Sequence, residues 1–225
     1  MIFAANFKTN LTRSKTKEYI EKLDSLVDGS DEIFVFPPAT ALLSSSKHIT
    51  VGVQNAYMAK NGAFTGEIGL EQLEEFGCKT ILLGHSERRH ILGESQEDIA
   101  KKFEFFKEQG FSIIYCVGEK LEDRANAMEF IKTQYKDIDT NYEKLIVAYE
   151  PVWAIGSGLT PTTSEIEQIH SELKKLSKAP LLYGGSVNVK NAKEILALSS
   201  VDGVLVGGAS LEVESFYNII NQGEK

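Results

Sequence analysis

Leu145-Ile-Val-Ala-Tyr149 carries no charge, and the residue that follows it is Glu150. A run apolar on both faces reads as a buried strand of a parallel sheet, which leaves the carboxylate at its carboxyl end. Pro151-Val-Trp-Ala-Ile-Gly-Ser-Gly158 comes next, stiff at its start and pliable at its end. A general base acts close to its substrate proton and away from water, and a segment of this make-up suits a lid hinged beside one. The plainer alternative is a solvated Glu ahead of a surface loop.

Three further groups could share that chemistry. His85 lies just past Ile81-Leu-Leu-Gly84 and ahead of a short helical turn at Ser86-Glu-Arg. A helix N-terminus disfavours imidazolium, so a neutral ring donating from one nitrogen is expected there; a structural histidine is the alternative. Lys8 follows the apolar start of the chain and Asn6, where it could meet an anion or simply be a surface charge. Tyr183-Gly-Gly-Ser-Val187 and Val206-Gly-Gly-Ala209 have the paired glycines that let backbone N–H groups approach a phosphate; tight turns are the alternative. Gly156 in the lid could add another such donor. Cys116, inside an apolar run with no nearby histidine, reads as packing, and Trp153 as lid packing.

These residues need elements to position them. Short apolar runs alternate with amphipathic stretches, and strands are expected near 2–5, 33–36, 50–53, 80–83, 112–117, 145–149, 180–183 and 203–206. Helical patterns stand out at 14–26, 96–109, 121–135 and 163–176, the third carried by Leu121, Ala125, Met128 and Ile131. Ser95 suits the start of the second and Gly110 its stop. Eight strand-then-helix units favour one α/β domain over 1–225, closed as a (β/α)8 barrel, with a doubly wound open sheet as the alternative. No GxGxxG opens any unit, which weakens the open sheet. In such a barrel the loops after the strands form the reactive face. Asn6, Lys8, Gln54, His85, Glu119, Glu150, Ser186 and Gly207 all fall just after strands.

Composition narrows the partners. The formal net charge of -8 argues against nucleic acid, although a local pocket can still oppose the global sign. Cys78 and Cys116 form no CxxC, and four histidines form no HxH or HExxH, so neither a disulfide framework nor a metal is expected. The apolar start is too short for a signal peptide, and no segment is long enough for a membrane span, so a cytoplasmic protein is expected. The long loop 55–65 carries Tyr57, Met58 and Phe64, which suits docking onto another subunit or folding back on its own barrel.

The motifs together resemble the triosephosphate isomerase family along essentially the whole chain. They are Ala5-Asn-Phe-Lys-Thr-Asn10, Gln54-Asn55, Gly62-Ala-Phe-Thr-Gly-Glu67, Leu83-Gly-His-Ser-Glu-Arg-Arg89, Cys116-Val-Gly-Glu119, Ala148-Tyr-Glu-Pro-Val-Trp-Ala-Ile-Gly156 and Tyr183-Gly-Gly-Ser-Val187. The resemblance implies a TIM barrel that interconverts dihydroxyacetone phosphate and D-glyceraldehyde 3-phosphate, with no cofactor or metal. It matches Glu150 to the base, His85 to the neutral electrophile, and Lys8 and Asn6 to the first-loop residues that touch substrate. Gly156, Ser186, Gly207 and Gly208 match the phosphate grip. Thr65, beside Phe64, matches the residue a homodimer sends into its neighbour's site. The base–histidine pair and the closing loop of this family are established examples of tuned acid–base chemistry, so neither match is an independent deduction. Ser86 and Glu87 are expected to support these groups, Glu87 by bonding to Lys8 or Ser86.

Departures are local. Phe7 and Thr9 stand where the family usually has Trp and Met, and Leu159-Thr160-Pro161 replaces the usual Lys-Thr-Ala at the lid's far end. The spans from Glu119 to Glu150 and from Glu150 to Tyr183 are short, which predicts trimmed outer helices. Two other functions fit the same barrel: an enzyme acting on a different sugar phosphate, and a non-catalytic binding protein.

Overall fold

The computed structural model describes residues 1–155 and 159–223. Eight strands, β1 (Ile2–Asn6), β2 (Glu32–Phe36), β3 (Ile49–Val51), β4 (Thr80–Leu83), β5 (Ser112–Val117), β6 (Leu145–Tyr149), β7 (Leu181–Tyr183) and β8 (Gly203–Val206), form one parallel sheet. Its order is β3-β2-β1-β8-β7-β6-β5-β4. A parallel bridge between Val53 and Ile81 joins the two edge strands, so the sheet closes on itself as a barrel.

That seam explains one difference from the sequence pattern, which extends the third strand to Val53. Gly52 donates its N–H to Val35 on one side, and Val53 donates to Thr80 on the other. The chain therefore changes partners at Gly52 and leaves regular strand geometry there. A Cβ on Gly52 would sit 2.4 Å from the Phe36 ring, so only glycine fits at this crossing.

Alternation with period two divides the strand residues between two cores. Ile2, Ala4, Phe34, Phe36, Leu82, Ile114, Cys116, Ile146, Ala148, Leu182 and Leu205 fill the barrel interior. Their neighbours, among them Phe3, Val35, Tyr115, Val147, Tyr183 and Val204, face the helices. Around the barrel lie α1 (Arg13–Leu26), α2 (Leu70–Glu74), α3 (Ser86–His90), α4 (Gln96–Glu108), α5 (Ala127–Gln134), α6 (Thr163–Leu173), α7 (Ala192–Leu196) and α8 (Val213–Ile220). Each long helix turns an apolar stripe inward: Leu23 on α1, Phe103 and Phe106 on α4, Ile166 and Leu173 on α6, Phe216 and Ile219 on α8, all buried. Ser95 caps α4 by accepting the Asp98 N–H, and Thr162 and Glu165 cap α6 reciprocally.

The helix expected over 121–135 is two pieces. Residues Leu121–Asn126 wind as a 3-10 helix, and only Ala127–Gln134 is α. The tighter winding rotates the first turn away from the stripe, so Leu121 is 61% exposed while Ile131 is fully buried. At eight residues, α5 is among the shorter outer helices, and α6 has eleven. No helix among the described residues is long and apolar enough to cross a membrane.

Candidate active site

The same two-residue step that fills the interior sets its upper rim. One step beyond Ala4, Leu82, Cys116, Ala148, Leu182 and Leu205 lie Asn6, Gly84, Gly118, Glu150, Gly184 and Gly207. Two side chains and four glycines thus share the carboxyl-terminal mouth of the barrel. The glycines leave room for the carboxylate: a Cβ at Gly184 would lie 2.9 Å from Glu150 Cγ, and one at Gly118 only 1.7 Å from the Glu150 carbonyl.

Glu150 is buried, 2% exposed. Its Oε1 lies 3.0 Å from His85 Nε2, and its Oε2 accepts the Ser86 N–H at 2.9 Å. Burial would raise its pKa, but contact with His85, the Ser86 amide and Lys8 outweighs burial and holds the carboxyl below the ordinary value. Ser86 therefore acts through its backbone.

His85 is the N-cap residue of α3, where its Nδ1 accepts the Glu87 N–H at 3.2 Å. That leaves the ring proton on Nε2, pointed at Glu150. The expectation of a histidine poised ahead of a helix start holds in position, but the electrostatics differ from those of an isolated cap. Burial works against imidazolium, yet Glu150 by charge and hydrogen bond, with Glu87 behind it, raises the His85 pKa.

Lys8 adopts φ +51°, a left-handed conformation that a side chain disfavours. Three contacts hold it there. Its N–H donates to Asn6 Oδ1 at 3.0 Å, its carbonyl accepts Gln54 Nε2 at 2.8 Å, and its Nζ pairs with Glu87 Oε1 at 2.7 Å. Gln54 also donates to the Phe36 carbonyl, so one amide ties β2 to the first loop. The sequence placed Gln54 after a strand without giving it this task; a half-buried amide owed partners was the signal available.

Asn6, Lys8, His85 and Glu150 line a pocket of about 320 Å³ together with Ser186, Gly207 and Gly208. Gly208 opens a short 3-10 turn ahead of α8, and a Cβ on it would meet open space. Gly207 lets the Lys8 side chain pass, since its Cβ would lie 3.3 Å from Lys8 Cε. Gly184, Gly185 and Asn188 complete that wall. Ser186, Gly207 and Gly208, with the Lys8 side chain beside Gly207, offer a place for an anion in the same pocket as a buried carboxylate. Gly156 lies outside the described residues. Among the described residues no cluster of three or more His, Cys, Asp or Glu could hold a metal ion.

The remaining sequence candidates lie elsewhere. Arg89 binds the Gly84 and Cys116 carbonyls and the Tyr115 hydroxyl, and Arg88 pairs with Glu94, so both brace the loop. Cys116 is inside the barrel, where burial and then the Glu150 charge push its thiol well above the ordinary value. Trp153 Nε1 donates to Glu119 Oε1 at 2.8 Å. Phe64 stacks 4.2 Å from Tyr57 but stays 42% exposed, and Thr65 beside it is exposed. Neither reaches the pocket of its own chain.

Comparison of the sequence with known proteins gives the family. A sequence model described as triosephosphate isomerase matches residues 1–223. The triosephosphate isomerase of Sulfurimonas denitrificans is 61% identical over 223 residues, covering 96% of this chain and 93% of that protein. Those of Sulfurovum sp. and Helicobacter hepaticus are 58% and 51% identical, with 98% and 97% of this chain and 99% and 97% of the relatives covered. With nearly the whole length of the sequence matched, the chain belongs to the triosephosphate isomerase family.

Proposed function

We propose that Glu150, His85 and Lys8 carry out proton transfer at a triose phosphate held by Asn6, Ser186, Gly207, Gly208 and the lid glycine Gly156. The chain is an isomerase, and its reaction is the interconversion of dihydroxyacetone phosphate and D-glyceraldehyde 3-phosphate. The observation that carries the assignment of roles is a carboxylate 2% exposed that lines one pocket together with His85, Lys8 and the paired glycines Gly207 and Gly208.

The phosphate anchors at the glycine wall, which leaves three carbons to span the pocket toward Glu150. Glu150 removes a carbon-bound proton beside the carbonyl, and the oxygen charge of the resulting enediolate needs fixed donors. His85 offers Nε2–H and Lys8 offers Nζ. Glu150 must first give up its contacts with Ser86 and His85, which frees the imidazole proton for substrate and makes the carboxylate a stronger base. Once the enediolate exists, loss of phosphate competes with reprotonation, so a lid over residues 151–160 that keeps water out has a chemical purpose.

A homodimer completes this reading. Phe64 and Thr65 project from the loop after β3, and Ile91 and Leu92 are 76% and 66% exposed. A cavity of about 410 Å³ lined by Thr9, Asn10, Gln54, Arg88, Ile91 and Leu92 opens beside Lys8 and His85, where a second copy's loop would fit. Phosphorylated three-carbon sugars do not cross a bilayer unaided, which supports a cytoplasmic enzyme working where its substrates are made.

Purified protein assayed with each triose phosphate tests the reading. Conversion in both directions supports it. Turnover of a larger sugar phosphate with neither triose phosphate converted would overturn it in favour of a different barrel enzyme.

A further inference from the structure

A second cavity, of about 450 Å³, lies between α5 and α6 and, among the described residues, shares no lining residue with the reactive pocket. Its wall takes Trp153 from the start of the lid segment and Pro161 from just beyond its end. Met128, Ile166 and Ile169 give it an apolar side.

Glu119 is among its lining residues and is 1% exposed. Oε1 accepts the Tyr149 hydroxyl and the Trp153 indole N–H, at 3.1 and 2.8 Å. Oε2 is buried and has no hydrogen-bond partner among the described residues. A buried carboxylate oxygen without a donor is costly, so it favours any cation that can reach it. Arg124 is the basic residue of this wall, and it is held by other residues of the wall. Its guanidinium lies 4.1 Å over the Trp153 ring and pairs with Glu165 at 2.6 Å. Glu129 and Glu172 add to the acidic balance, although Glu172 is shared with Lys175.

We propose that this cavity binds a small organic cation with a flat apolar body. The ammonium or amidinium N–H groups meet Oε2 of Glu119, and the body lies against Met128, Ile166 and Ile169. The acidic lining turns anions away, so the triose phosphates themselves do not enter. A ligand seated here touches the start of the lid segment and the residue just beyond its end, and its occupancy lowers turnover from outside the reactive pocket.

Benzamidine is a suitable probe, with benzamide as its uncharged counterpart. Trp153, the only tryptophan of the chain, reports occupancy directly. Benzamidine should shift its fluorescence saturably at about tenfold lower concentration than benzamide. Glu119→Gln should erase that difference. Ile169→Phe, which fills the apolar end and leaves the carboxylate in place, should weaken both compounds. Inorganic phosphate should leave the benzamidine curve unchanged, and benzamidine should lower kcat without raising KM. Equal curves for the two compounds, displacement by phosphate, an unaltered charge preference in Glu119→Gln, or a rise in KM alone would each overturn the proposal. The binding readouts hold whatever reaction the other pocket performs.

Discussion

Glu150 Oε1 and His85 Nε2 stand 3.0 Å apart while Glu150 Oε2 takes the Ser86 N–H, so both carboxylate oxygens are engaged before substrate arrives. A base held this way reaches substrate only by leaving these contacts, and its reach is set by side-chain length. Glu150→Asp draws the carboxylate back by one C–C bond, ~1.5 Å. The expected result is a fall in kcat of at least about tenfold, ~1.4 kcal/mol of barrier, with KM little changed. Steady-state kinetics decides it. Turnover close to that of the parent would remove Glu150 from the role of base.

The same pair predicts a titration. The His85 pKa is raised because Glu150 overrides burial, so Glu150→Gln should drop it below the ordinary ~6.5. The sign for stability follows. His85, with its folded pKa raised, contributes stability that is complete below about pH 6.5 and is lost as pH rises through the folded value. Glu150, with its folded pKa lowered, contributes above about pH 4.3, and that contribution is lost as pH falls through the folded value. NMR of the imidazole across pH in parent and variant reads the first effect. A His85 titration identical in both would mean that the carboxylate does not govern the ring.

Much of this arrangement is legible in the sequence. Short uncharged apolar runs mark the strands, and counting residues past each strand brings Asn6, His85, Glu150 and Gly207 to one rim. Other parts were not legible, for physical reasons that differ. Gly52 ends a strand because the Phe36 ring occupies the space of its missing side chain, a contact between segments sixteen residues apart. Leu121 kept the spacing of a helix, but spacing cannot distinguish an α turn from a 3-10 turn that leaves the side chain in solvent. Gln54 bonds two backbone carbonyls from different elements, which no local pattern records.

Loop docking makes a prediction of its own. Phe64 is 42% exposed and lies on Tyr57, on a loop whose tip is otherwise small and polar. Phe64→Asp puts a charge where an apolar contact with a second copy would form, and a desolvated lone charge there costs several kcal/mol. Sedimentation should show the assembly dissociating, with activity falling alongside because the cavity beside Lys8 loses its occupant. An unchanged sedimentation coefficient would exclude this loop from the interface.

Acid should destabilise the fold through His170. The ring is fully buried between Tyr149 and Tyr183, its Nδ1–H faces the Ser200 carbonyl at 3.3 Å, and burial lowers its pKa to about 4. The unfolded chain binds this proton near pH 6.5 and the folded chain only near 4, so stability falls as pH falls between those values. The full loss is roughly 3 kcal/mol. Urea unfolding at several pH values should show this slope, and His170→Gln should flatten it. An equal slope in the variant would assign the acid sensitivity to other groups.

Two rim glycines separate folding from catalysis. At Gly118 an added Cβ would lie 1.7 Å from the Glu150 carbonyl, and at Gly184 it would lie 2.9 Å from Glu150 Cγ. Backbone held between strands has nowhere to go, whereas a side chain can turn about its own bonds. Gly118→Ala should therefore lose stability, about 3 kcal/mol or more, as overpacking against an immovable group does. Gly184→Ala should fold with a smaller loss but displace the carboxylate, and a misplacement of about 1 Å lowers kcat by up to about a hundredfold. Unfolding curves and kcat measured on both variants separate the effects. If Gly184→Ala kept full turnover, the space that glycine leaves would matter for packing and not for aiming Glu150.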